Sequence, residues 1–427
     1  MMNNTGNGIY GLIKELYPIC RSITGNGVRQ SLQIIKKIIP VTVNEIPSGT
    51  RVFDWTVPRE WNINDAYIKG PDGKKIIDFR ENNLYVLGYS VPVKKKISLQ
   101  SLKKHLFTIP EHPDWVPYRT TYYKKDWGFC LSQNQMDSMT DGEYEVLIDS
   151  SLSNGHMTFG EFLVQGENRE EVLLSTHICH PSMCNDNLSG VAMAAFLARH
   201  LQGKKKLRYS YRFLFIPGTI GSITWLAMNE QNTKFIKHGL VIACAGDPGA
   251  FTYKKSRMGN APIDRVVINH MAHSGKAFRI EDFSPYGYDE RQLCSPGFNL
   301  PVGCFMRSRH GSYPEYHTSA DNLEFVKPES LEESFDALVS IMDMLESDNV
   351  YINLNPKCEP QLGRRGLYEA IGGSKNGKGK ELAMLWVLSM SDGSNSLIDI
   401  SERSGIEFCL IKEAAVNLLA SGLLQNA

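Results

Sequence analysis

The stretch 177–190, HICHPSMCNDNLSG, constrains this chain more than any other. It follows the apolar run VLLST at 172–176 and precedes VAMAAFLA at 191–198, which has a helical composition. An apolar strand ending on a histidine, then a polar loop holding an aspartate, then a helix opened by Asn, Ser and Gly sets side chains at the carboxyl edge of an α/β sheet. The small residues at the turn allow close backbone approach. The expected fold class is α/β.

The rest of the chain organises around that stretch. Residues 9–39 read as largely helical, interrupted by RSITGNG at 21–27 and stopped by Pro40. Short alternating runs at 66–69, 75–78, 84–87 and 144–148, separated by Pro, Gly and Asn turns, predict a mostly β region over 45–160. It is rich in aromatics (Trp115, Tyr118, Tyr122, Tyr123, Trp127, Phe129), a cluster more typical of a core or a domain face than of a ligand platform. Strands are then expected at 171–175, 211–216, 241–245 and 264–268, and helices at 191–200, 222–229 and 330–344. This predicts an α/β domain built from 1–44 and 161–352, with 45–160 inserted into it. Residues 353–427 are expected to form a linker, most flexible at the glycine-rich 372–379, and a helix-turn-helix unit with helices at 381–390, 396–404 and 407–419.

Bulk properties exclude several classes of function. The chain has 427 residues, with 46 Lys+Arg against 46 Asp+Glu, so no excess positive charge favours nucleic acid or an anionic membrane. The last predicted helix carries Glu407 and Glu413 against Lys412, which suits packing or self-association better than reading DNA. Residues 1–8 are polar and no run of about 18 apolar residues occurs, so neither a leader nor a membrane span is expected. Nine cysteines without CxxC pairs read as reduced thiols, which makes the cytoplasm the expected location. No G-x-S-x-G elbow, P-loop or dinucleotide fingerprint is present.

Zinc in hydrolases takes imidazole and carboxylate ligands and keeps a position for water. Four places here suit that role: His177 at a strand end, Asp186 between two asparagines, Asp247 ending another apolar run, and His317 in a polar loop. Each taken alone is more often a capped or hydrogen-bonded surface residue than a ligand. Together, two acids and two histidines in loops beside apolar segments form a plausible ligand set. His180 rivals His177 as ligand, substrate contact or supporting hydrogen-bond partner. His177 is preferred because it directly follows the strand.

Six phrases carry a resemblance: HICHP at 177–181, NDNLSG at 185–190, GTIGS at 218–222, GDPG at 246–249, DERQLCSPGFNLP at 289–301 and YHTSADN at 316–322. Residues 163–345 resemble the zinc-dependent di-metal aminopeptidases. The whole chain resembles a bacterial family of aminopeptidase-like proteins of the DUF4910/DUF2172 type, often associated with polysaccharide biosynthesis. The resemblance implies a mixed sheet with helices on both faces, an inserted β domain and a small C-terminal winged-helix-like domain. It further implies one or two zinc ions, with His177 and Asp247 on one, His317 on the other and Asp186 bridging.

One departure bears on catalysis. Such aminopeptidases carry a Glu-Glu pair after the third strand of this region, one as general base and one as ligand. Here the corresponding residues read FLFIPGTIGS at 213–222, with no carboxylate. Either one zinc binds instead of two, or another carboxylate serves (Glu290, Asp289, Glu281 or Glu315), or the protein binds without cleaving. Glu290 is the first candidate, against a structural ion pair with Arg291. General-base assistance is worth about 100-fold to 10,000-fold in rate, so its unreplaced loss would leave little activity. Arg291, Arg307, Arg309 and His310, with Arg257, could hold a substrate carboxylate or meet developing negative charge, and Tyr316 lies beside His317. The expected function is zinc-dependent hydrolysis of an amide in a small peptide or amino sugar. A zinc-holding structural or sugar- or peptide-binding protein is the alternative. Homo-oligomers through the inserted or C-terminal domain fit either reading.

Overall fold

The computed structural model of the chain describes residues 5–367 and 377–427. Its longer strands are Thr42–Pro47 (β1), Glu60–Lys69 (β2), Lys75–Asp78 (β3), Val93–Ser98 (β4), Glu143–Ser153 (β5), His156–Val164 (β6), Glu171–His177 (β7), Ser210–Ile216 (β8), Ile236–Ile242 (β9), Phe251–Lys254 (β10), Phe278–Glu281 (β11) and Val302–Met306 (β12). The helices used below are Thr5–Leu16 (α1), Asn26–Ile35 (α2), Gly190–Gln202 (α3), Ile220–Asn229 (α4) and Pro262–His273 (α5). They are followed by Pro328–Ser347 (α6), Gly377–Met390 (α7), Leu397–Ser404 (α8) and Phe408–Ala420 (α9).

An eight-stranded mixed sheet in the order β1-β6-β8-β7-β9-β12-β10-β11 forms the base of the large α/β domain. Strands β8, β7, β9 and β12 run parallel at its centre, while β6 and β10 flank them antiparallel. Strand β7 is buried at every residue from Val172 to His177, the continuous apolar run expected of a central parallel strand. Its Leu173 packs in one core with Leu214, Val241 and Val302 from the neighbouring strands. Helix α1 packs on α3, and α2 lays its buried Val28, Leu32 and Ile35 against β6. Gly190 opens helix α3 close against β9, where a Cβ would collide with the Ile242 carbonyl.

A separate four-stranded antiparallel sheet, β3-β2-β5-β4, lies within residues 60–153. Strand β5 alternates buried and outward residues, burying Tyr144, Val146 and Ile148 with Ala66 and Ile68 of β2. Arg29 of α2 clamps Glu45 of β1 and Glu60 of β2, with nitrogen–oxygen distances of 2.6–3.0 Å.

Contacts divide the chain into two units. One runs to Gly259 and resumes over Arg279–Asp336, and the other comprises Asn260–Phe278 and Ala337–Ala427. In the second, Val350–Asn353 pairs antiparallel with both Asp392–Ser396 and Leu424–Asn426, beside α7, α8 and α9. Ser396 caps α8 in a reciprocal box with Asp399. Most of the 372–379 stretch expected as a linker lies outside the described residues, and its last three residues open α7.

One sequence expectation is corrected. Residues 264–268, expected as a strand, lie inside α5. Pro262 opens that helix, and the Asp264 carboxylate accepts from Ala261 N at 2.9 Å. The buried Ile263, Val266, Val267 and Met271 follow helical spacing, not alternation. Strand β12, which no sequence expectation covered, takes its place in the sheet.

Candidate metal centre

Strand β7 delivers His177 to the rim of the sheet, and the loop that follows turns back before α3 begins. Asp321 fixes that return by accepting from Asn185 N at 2.6 Å and from Asp186 N at 2.8 Å. Arg21, itself buried, donates to His180 O at 3.0 Å from the opposite side. The loop is thereby held by residues far away in sequence.

The Asp186 carboxylate sits at the centre and is fully buried. His177 Nε2 lies 2.9 Å from its Oδ1, which also accepts from Tyr288 OH at 2.7 Å. His180 Nδ1 lies 3.3 Å and His317 Nε2 2.9 Å from its Oδ2. The His317 contact is short but lacks hydrogen-bond alignment, and both of its buried atoms have no hydrogen-bond partner. Among the described residues, one ligand atom each from His177, His180 and Asp186 lie within 4.8 Å of one another. Two unpartnered atoms facing each other, in a set of imidazoles around one carboxylate, fit a cation better than a hydrogen-bond network.

Protonation suits that reading. Burial would push the Asp186 carboxyl up, yet the electrostatic pull of His180 and the close imidazoles of His177 and His317 hold it well below its usual range. Burial lowers the His177 imidazole to about 4, against the pull of Asp186. An ionised carboxylate beside a neutral imidazole is the state that binds a metal.

The structure gathers some of the expected residues and not others. His177, His180, Asp186 and His317 come together. Asp247 does not join them: its Oδ1 accepts from Ser308 Oγ and Gly249 N, its Oδ2 from Asn185 Nδ2 and Ser308 N. With both oxygens engaged, it supports the loop before Asp186. Tyr316 stacks on His317, with ring centres 4.0 Å apart.

Asp289 approaches from a later loop. Its Oδ1 accepts from Thr219 N at 2.7 Å and Ser222 Oγ at 2.8 Å, while its buried Oδ2 has no partner. Burial pushes this carboxyl up to about 6. A Cβ on the preceding Gly218 would stand 3.7 Å from the His177 Cβ, so Asp289 clasps the stretch that lacks a carboxylate of its own, beside the cluster. Glu290 is tied instead to Lys254, Nζ to Oε1 2.7 Å, in a fully buried pair. Its partner is thus Lys254 and not Arg291, which donates to Thr219 Oγ1 at 3.3 Å and keeps a buried, unpartnered Nε.

His310 is buried with neither ring nitrogen partnered, edge-on to Tyr288, and burial lowers it to about 4. Arg309 faces Glu281 at 3.5 Å, and Arg307 is bound to Gly249 O, Ser330 O and Glu333. Arg257 reaches out to Asn299 at 2.8 Å, and Glu315 is half-buried.

Two tyrosines escaped the sequence reading. Tyr288 stacks on His177 at 4.4 Å, and Tyr118 meets His180 and His317 edge-on at 5.1 Å. Tyr288 directly precedes the acidic pair at 289–290, a usable signal. Tyr118 gave none, because it was one aromatic among six.

The fold and cluster define a class: a large mixed α/β domain with a buried His-His-Asp group able to hold one metal ion, joined to a C-terminal winged-helix-like domain. Residues 10–348 match the domain of unknown function DUF4910, and the chain belongs to that family. Residues 349–426 match a winged helix-turn-helix. A Clostridium acetobutylicum protein is 55% identical over 423 residues, 99% of this chain and 97% of the relative; its name proposes a polysaccharide biosynthesis protein with an aminopeptidase-like domain. A crystal structure of a proposed peptidase from that organism superposes with a TM-score of 0.95 at 53% identity, covering 100% of this chain and 98% of that one. A zinc aminopeptidase from Bacillus subtilis shares the fold, with a TM-score of 0.57 at 12% identity over 80% of this chain and 94% of that one. Similarity to these proteins supports a peptidase-like hydrolase fold.

Proposed function

We propose that this protein is a zinc-dependent amide hydrolase of aminopeptidase-like type, acting on a small peptide or amino-sugar substrate linked to polysaccharide biosynthesis. The observation that carries this is the Asp186 carboxylate ringed by His177, His180 and His317, with the unpartnered His317 Nε2 only 2.9 Å from Asp186 Oδ2. These four residues would hold one zinc ion. The engaged oxygens of Asp247 favour one ion over two. A bound zinc supplies Lewis acidity toward a carbonyl and acidifies water at neutral pH.

The chain's own residues do the rest. Asp289 Oδ2 accepts the proton given up by the attacking water and passes it to the departing amine, in place of a glutamate at 218–219. Its raised pKa brings it closer to working pH than an ordinary aspartate. Arg291 Nε and His310 supply N–H groups toward developing negative charge, and Tyr316 and Tyr118 pack against the ring of His317. On this reading 45–160 is an insertion into an α/β domain of 1–44 and 161–352, and it contributes Tyr118 to the site. The winged-helix-like segment is an assembly module, and the protein works in the cytoplasm. No described helix is long and apolar enough to cross a membrane.

A second reading has its own support: no carboxylate stands at 218–219, and Glu290 is neutralised by Lys254. The protein would then hold zinc and bind a sugar or peptide without cleaving it. Zinc content does not separate the two readings. Turnover of a panel of aminoacyl amides and N-acetyl sugars, compared with Asp186→Ala, does. Hydrolysis by the wild type that is lost in the variant supports the first reading, and equal, negligible rates support the second.

A further inference from the structure

The large unit holds a cavity of about 660 Å³ lined by none of the four metal-facing residues. That volume is in the range of small-ligand sites. Six side-chain amides line it: Asn26, Gln30, Asn62, Asn64, Asn82 and Asn83. Several remain open. Gln30 takes no partner among the described residues. Asn64 uses only its nitrogen, on Asp149, and Asn82 only its oxygen, for Leu84 N. Asn83 donates to Pro18 O and leaves a buried Oδ1 without a partner.

Charge is nearly absent. Arg80 and Glu81, one of each sign, are both exposed, and Arg80 faces Asp65 at 3.3 Å. The start of α2 opens on the cavity, but Asn26 N already donates to Asn62 Oδ1 at 2.7 Å. A phosphate or carboxylate therefore meets one exposed cation that already faces Asp65, and a helix start whose first N–H is already engaged. Amides both donate and accept, as a sugar hydroxyl does. The half-buried rings of Tyr17 and Phe79 add apolar surface for the faces of a pyranose.

The cavity also adjoins the metal loop. Ser182, two residues after His180, forms part of its wall and donates to Tyr17 O at 2.9 Å. Arg21, between the lining residues Cys20 and Ser22, donates to His180 O.

We propose that this cavity binds a neutral saccharide and thereby holds the sugar end of a substrate beside the metal loop. The link to turnover rests on the hydrolase reading, whereas the binding itself does not. The test is calorimetric titration of the full chain with N,N′-diacetylchitobiose and maltose, with a neutral tetrapeptide, glucuronate and inorganic phosphate as competitors for the assignment. The expected result is one-to-one binding of a neutral sugar, weakened about tenfold in Gln30→Leu/Asn64→Leu, where two exposed hydrogen-bonding groups are removed. Binding should persist in Asp289→Asn. Binding of neither sugar, binding unchanged in the double variant, or preference for the peptide or an anion overturns the proposal. Failure of the hydrolase reading would show separately, as sugar binding without hydrolysis of any amide.

Discussion

Asp186 is the residue on which the others converge, and its charge is the reason. Among three imidazoles it is the one group that brings negative charge to a cation. Asp186→Asn is nearly isosteric but neutral, so zinc affinity should fall by more than the roughly 10- to 100-fold typical of supporting residues. Zinc stoichiometry after dialysis measures this, and a full complement in the variant would remove Asp186 from the site. Asp289 and Glu290 are neighbours with different surroundings. Asp289→Asn should lower turnover by about 100-fold to 10,000-fold with zinc retained. Glu290→Gln should instead destabilise the fold by about 3–5 kcal/mol, because it leaves the Lys254 ammonium buried without its counter-charge. Denaturant titration alongside kinetics separates the two roles.

At the scale of elements, the approach of α3 to β9 sets where Asp186 stands. Gly190→Ala forces a methyl into the Ile242 carbonyl and should cost about 1–3 kcal/mol, with a parallel drop in zinc content as the loop shifts. The clamp of Arg29 on Glu45 and Glu60 joins α2 to two strands from different sheets. The Arg29 bonds bring the Glu60 carboxyl down to about 2. A depressed carboxylate stabilises fully above its unfolded pKa and loses that contribution as pH falls through the folded value. Arg29→Met should therefore lower stability at pH 7, by about 1 kcal/mol given the partly exposed pair. The gap from wild type should close progressively as pH drops from about 4.5 toward 2. A gap independent of pH in urea titrations would mean that Arg29 acts by packing alone. Helix α5 shows the limit of local reading. VVI at 266–268 looks like a strand in isolation, and only Pro262 and the Asp264 cap reveal the helix.

At the scale of the molecule, zinc should behave as a folding ligand. At a free concentration about 100-fold above its Kd it should add about 2.7 kcal/mol, so a chelator should lower Tm and zinc should restore it. In the unit that contains the winged helix, Arg265 ties α5 to Asp399 at 2.7 Å and to Glu402, so three charged groups of this face are already paired. Lys380 is likewise engaged by Glu413. Full-length protein should bind a random duplex no more tightly than about 10 μM at physiological salt. Tighter, salt-sensitive binding would make this segment a DNA reader.

Sequence alone specified what depends on near neighbours: the apolar run that becomes β7, the histidine at its end, the small residues that let α3 start, and the absence of a carboxylate at 218–219. Those features follow from periodicity and steric size within a few residues. It preferred His177 to His180 for its place at the strand end, whereas the fold brings both to Asp186. It could not show that Glu290 pairs with Lys254, 36 residues away, or that Tyr118 and Tyr288 reach the histidines. Such partners are set by strand order and by how distant loops meet above the sheet rim. Tertiary structure alone therefore decided which carboxylate faces the imidazoles and which is neutralised, because burial and charge at a site depend on what the whole chain packs around it.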